Sequence, residues 1–131
     1  MSYNLKALKQ YNSIDIRTSI DSASPHKLII MLFDGALTAI TRAKGLIGQK
    51  DMAGKGQQIQ KASEIMIGLK SSLDLEQGGE VAANLDALYD YILGRLMVAN
   101  RQVDVEPLNE VSALLTEIKG GWSAIPPELQ K

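Results

Sequence analysis

The sequence predicts an all-α protein, an antiparallel up-down-up-down four-helix bundle with an additional short N-terminal helix or arm. Apolar residues recur at three- and four-residue steps through four separate segments, the spacing that lines one face of a helix. Short breaks containing Gly, Asp or Pro divide the segments, which makes consecutive helices antiparallel neighbours. No strand-length run lies between hairpin turn signals, and no internal repeat is visible. By position, residues 1–23 form the arm, 24–122 the bundle and 123–131 a C-terminal tail.

In the arm, Leu5, Leu8 and Tyr11 share one side of a short helix, with Lys6 and Lys9 outward. Residues 12–20 alternate and are rich in β-branched side chains, which disfavour a helix mildly, so they read as an extended segment resting on another surface. The first long helix covers about residues 24–47, roughly 36 Å at about 1.5 Å per residue. Ser24 caps it by accepting from a free backbone N–H, and Pro25 fits the first turn, where its missing N–H costs nothing. Apolar residues then run unbroken from position 28 to 33, more than half the helix circumference, so more than one face must be buried. Ile29, Leu32, Phe33, Ala36, Ile40, Ala43 and Ile47 form one stripe, and Leu28, Met31, Gly35, Ala39 and Leu46 a second beside it. An ordinary bundle helix needs one stripe. The second faces another helix of the chain or a partner.

Residues 48–51 make a short turn, with Asp51 placed to cap the second helix, whose stripe is Ile59, Ala62, Met66, Leu69 and Leu73. Gly54 and Gly56 loosen its start, at about 1 kcal/mol each relative to Ala, and fraying is expected there. Residues 74–80, with Gly78 and Gly79 paired, are the clearest break in the chain. The third helix then runs from about Val81 to about Val103. Val81, Leu85, Leu88, Ile92, Leu96, Ala99 and Val103 line one face, with Ala82, Tyr89, Leu93 and Met97 on its flank. Pro107 opens the fourth helix, whose stripe is Leu108, Val111, Leu115, Ile118 and Trp122. Gly120 and Gly121 weaken its end, and Pro126-Pro127 rules out continuing it. The shared spacing predicts a core of Ile29, Leu32, Phe33, Ala36, Ile40, Leu69, Leu85, Leu88, Ile92, Leu96, Leu115 and Ile118.

At 131 residues the chain is one domain, long enough for a real core. Its net charge of −1 shows no surplus of cations, which argues against a nucleic-acid partner. It has no cysteine, hence no disulfide or thiolate chemistry, which fits a reducing cytosol. No segment approaches the roughly 20 apolar residues of a membrane span, and the first residues lack a secretory signal's apolar core. A cytosolic protein without membrane insertion is expected.

Nothing in the sequence points to catalysis, a metal or a cofactor. His26 is the only histidine, so zinc and di-iron ligand sets have nothing to build on. Histidine phosphotransfer uses an exposed mid-helix imidazole, whereas His26 sits in the first turn before a bulky apolar run and reads as a solvated side chain. Asp74, Glu76 and Glu80 do not match the spacing of a calcium loop, and Gly78-Gly79 is too short to cradle phosphate. The informative feature is the surplus of apolar surface. With adaptable Met31, Met52, Met66 and Met97 and amphipathic tyrosines, it is compatible with a groove that takes a partner helix.

The same residues carry a family resemblance that spans nearly the whole chain. Tyr11 precedes Ala23-Ser24-Pro25, and Leu28-Ile29-Ile30-Met31-Leu32-Phe33-Asp34-Gly35-Ala36 follows. Further on comes Leu73-Asp74-Leu75-Glu76-Gln77-Gly78-Gly79-Glu80-Val81-Ala82-Ala83-Asn84-Leu85, then Leu88-Tyr89-Asp90-Tyr91, Ala99-Asn100 and the late Trp122. This ordered set resembles the FliS family, bacterial flagellar export chaperones that escort flagellin. Phe33 stands where family members often carry Tyr, keeping the ring without the hydroxyl.

The resemblance implies a cytosolic, ATP-independent chaperone without cofactor that holds the disordered C-terminal segment of flagellin. It would prevent premature polymerisation and assist delivery to the flagellar type III export gate. On that reading Leu28, Met31, Gly35, Tyr89, Leu93 and Met97, which lie off the main core stripes, are the candidate groove residues. Tyr11 and Ile14 anchor the arm, either in or beside that groove as a displaceable plug or as a permanent staple on the bundle. A monomer or weak homodimer is expected. The rival readings are a histidine phosphotransfer-like signalling module and a purely structural oligomeric bundle. His26→Ala separates the first from a chaperone, and light scattering with a flagellin C-terminal peptide separates the second.

Overall fold

The computed structural model describes residues 24–123, and all four of their regular elements are helices: α1 Pro25–Gly48, α2 Met52–Ser71, α3 Leu75–Arg101 and α4 Glu106–Ser123. Each start is set by a capping side chain. The Ser24 hydroxyl accepts from Lys27 N at 3.1 Å, with Pro25 in the first turn, and the Asp51 carboxylate accepts from Gly54 N at 2.8 Å. Asp74 accepts from Gln77 N at 3.0 Å and Asp104 from Glu106 N at 2.9 Å. These bonds satisfy donors that the first turn of a helix leaves without an internal partner. At the end of α1 the chain reverses through Lys50 in the left-handed region (φ 62°), with Lys50 N on Ile47 O and Asp51 N on Leu46 O. This is the Schellman arrangement, with lysine at the position glycine usually takes.

The break around Gly78-Gly79 is present but takes a different form from the simple loop expected. Asp74 opens one helical turn, and the chain kinks at Gly79 (φ 54°, ψ −130°) before the long body of α3 begins. Only that positive φ requires glycine here.

The principal contacts link α1 with α2 and α4, and α3 with α2 and α4, so each helix packs on its neighbours around a ring. Short connections make the neighbours antiparallel, the up-down-up-down arrangement. The core contains Ile29, Leu32, Phe33, Ala36, Ile40, Leu69, Ile92, Leu96 and Leu115 from the predicted set. It also takes in Ile65, Tyr89 and Ala99. Leu85, Leu88 and Ile118 pack on this core but stay half-exposed, short of the full burial expected. All three lie toward the end where α3 begins and α4 finishes, and cover is thinner on these two helices there, while Ala82 and Leu69 at the same end are fully buried. Val81 and Val103, expected on the buried face of α3, are 63% and 69% exposed. Val81 sits in the first turn after the kink, and Val103 lies beyond the last helical residue, so neither is carried round onto the core.

Polar bonds at the rim fix three of the four seams. Lys70 of α2 reaches Asp86 at 2.8 Å and Asp90 at 3.5 Å on α3. Arg95 of α3 pairs with Glu110 of α4 at 2.7 Å, Lys119 of α4 pairs with Asp34 of α1, and Lys44 donates to Asn109 at 3.2 Å. The hydrogen bond from the Tyr91 hydroxyl, then that from Arg95, holds the Glu110 carboxyl below the usual carboxylate range. A depressed folded value gives stability that is present above the unfolded value and lost as pH falls through the folded one. Acid unfolding is therefore expected to steepen below the ordinary range of glutamate, and Glu110→Gln to flatten that limb of a stability-against-pH curve. The side chains are exposed, so the change in midpoint is modest. An unaltered acid limb in Glu110→Gln would count against the assignment.

Candidate functional site

The candidate groove residues do not converge on one groove. Leu28, Met31 and Gly35 follow each other at three and four residues, one row along α1, and Gly35 locates that row at α2. A Cβ on Gly35 would come within 3.2 Å of Ile65 Cδ1, so the two helices approach closely there. Leu28 is buried, while Met31 and Gly35 are half-buried. On α3, Asp86 and Asp90 face Lys70 of α2, and Leu93 and Met97 continue their row at +3 and +4. Leu93 is half-buried and Met97 is 60% exposed. The two rows therefore border opposite edges of α2. Its solvent face lies between them, where Gln60, Glu64 and Ile67 are exposed, Ile67 at 47%.

Tyr89 requires a correction. The sequence placed it on the flank of α3, but its side chain is fully buried in the core. Its position between the predicted stripe and the α2 edge brings it inward, because α2 and α4 together cover a wider arc of α3 than one stripe. Leu28 is likewise drawn in by the close α1–α2 contact. Tyr11 and Ile14 lie outside the described residues.

His26 also departs from expectation. It is 8% exposed, not solvated, and its imidazole stacks on Trp122 with ring centroids 5.2 Å apart and 14° between planes. The indole N–H of Trp122 donates to the His26 carbonyl at 3.1 Å. The exposed mid-helix imidazole that phosphotransfer needs is thus not what His26 provides. Among the described residues, no three His, Asp or Glu side chains gather as a metal site. No described helix is long and apolar enough to cross a membrane.

Lys55 was missed. Its side chain is buried, and the ammonium donates to the carbonyls of Ala99 and Asn100 at 3.2 Å each and Gln102 at 2.9 Å. A cation is thereby seated at the C-terminus of α3, where the helix dipole is negative and carbonyls lack intrahelical partners. The start of α2, expected to fray, is tied down by this bond set and by the Asp51 cap. The only sequence signal was a lysine between two glycines, which leaves room for a neighbouring chain end to approach.

The fold and these rows define an antiparallel helical bundle with half-open apolar rows along its seams. Residues 7–129 match the family described as flagellar protein FliS, and the chain belongs to the FliS family. It is 45% identical over 123 residues to the flagellar secretion chaperone FliSB of Pseudomonas aeruginosa, covering 94% of this chain and 98% of that protein. It is 43% identical over 127 residues to the flagellar secretion chaperone FliS of Salmonella typhimurium, covering 96% of this chain and 94% of the relative. A crystal structure of a flagellar chaperone from bacteria shares the fold, with a TM-score of 0.71, 18% identity, and coverage of 91% of this chain and 94% of that one.

Proposed function

We propose that this chain is a cytosolic, ATP-independent export chaperone that binds the disordered C-terminal segment of flagellin and hands it to the flagellar type III export gate. The observation that carries the reading is the family match across nearly the whole chain, together with relatives that are flagellar secretion chaperones. The chaperone acts by mass action, because a segment held on its surface is unavailable for subunit contacts and polymerisation waits. No chemistry on the client is required. The segment loses conformational entropy when it orders on binding, so contact must be extensive. Two apolar rows on either side of α2 suit an amphipathic client better than one compact pocket, and Met31, Gly35, Leu93 and Met97 are its contacts in this reading.

Co-elution decides the reading. The chain should elute with intact flagellin and not with flagellin lacking its C-terminal segment; equal retention of both would overturn it. Met31→Asp is expected to abolish binding with helical content largely kept, since Met31 is half-buried and a carboxylate there opposes an apolar client. Circular dichroism alongside the binding assay checks this. Loss of helix would show that Met31 supports the bundle, and would place the contact face elsewhere.

A further inference from the structure

We propose that the last turn of α4 is a lid, hinged at Gly120 and Gly121 and latched to α1 by the Trp122–His26 pair, which opens while the rest of the bundle stays folded. Two of the contacts that Trp122 makes form the latch. The indole ring lies against the imidazole, and the indole N–H donates to the His26 carbonyl at 3.1 Å.

Several features weaken the closed state. A Cβ at Gly120 or Gly121 would meet nothing within 4 Å, so no packing demands glycine there, and both residues lower helix propensity just before Trp122. The first turn of α1 holds no acidic residue and the last turn of α4 no basic one, so no charged side chain within those turns reinforces the latch. His26 Nδ1 is buried with no hydrogen-bond partner among the described residues. Its desolvation opposes closure, and water relieves it when the lid opens. At the same end of the bundle Leu85, Leu88 and Ile118 are only half-buried, and α3 kinks at Gly79. Thin packing, a glycine hinge and an unpaired buried nitrogen place this end at the low extreme of local stability, where sub-global opening occurs. Opening uncovers the indole and the apolar side of the α1 start without separating the four helices.

Hydrogen exchange of α4 backbone amides in the full chain tests the lid. The last turn should exchange faster than the middle of α4. Trp122→Phe keeps a ring but deletes the N–H, and should speed the last turn about fivefold, the effect of one net hydrogen bond, while the helix middle is unchanged. Gly120→Ala and Gly121→Ala should each slow it about fivefold through helix propensity. His26→Phe keeps the stack, removes the unpartnered nitrogen and should slow it too. If the last turn exchanges at the rate of the helix middle, this end opens only with the whole bundle and the lid is wrong. If it ignores the variants, the latch does not hold it and the proposal also fails. Should Trp122→Phe fail to fold, His26→Phe decides for the latch, because the glycine substitutions act through helix propensity whether or not the latch is present.

Discussion

Lys55→Met should cost the bundle about 3 kcal/mol, the scale expected when a charged donor is removed from one buried and two part-buried carbonyl acceptors. The substitution keeps most of the apolar stem and deletes the ammonium, so packing changes little and the effect reports the cap. In the folded chain that ammonium uses all three of its donors, on Ala99, Asn100 and Gln102. Without it the end of α3 loses both partners for its carbonyls and a cation at its negative dipole end. The measurement is a urea titration in which the midpoint falls and the slope stays constant. A loss below about 1 kcal/mol would show that water replaces the ammonium at little cost.

Leu96→Ala should be comparably damaging, about 2–5 kcal/mol, because Leu96 has no exposed surface and its removal leaves a cavity that four packed helices close only in part. Leu88 lies two turns earlier on the same stripe of α3 but is only partly buried. Leu88→Ala should therefore cost less than Leu96→Ala, in proportion to the apolar area withdrawn from water. Equal losses in the two variants would mean that the thinning of the core toward the α3 kink is not real. The contrast matters for the lid, since the same thinning underlies its ability to open.

The helical rows were legible because a 3.6-residue period writes itself directly into the sequence, and caps are local. Ser24, Asp51 and Pro107 each mark a helix start within a residue or two of its observed place. The outer limits of a stripe were not legible. Period alone carried Val81 and Val103 onto the buried face, but burial requires a neighbour opposite, and the kink and the helix end remove it. Tyr89 and Leu28 show the converse. Each sits at the margin of its stripe, and the angle at which α2 and α4 approach decides whether the margin is covered.

By itself, then, the sequence determined that four amphipathic helices form, where three of them begin, and the family to which they belong, because period and caps are local and the family's motifs follow one another in order along the chain. Only the tertiary structure decided which seams stay open, that Lys55 seals the end of α3 across 44 residues or more, and that His26 meets Trp122 across 96. Those contacts join residues whose types carry no mutual signal. They exist because helix length, kink and packing angle bring two distant ends to the same place.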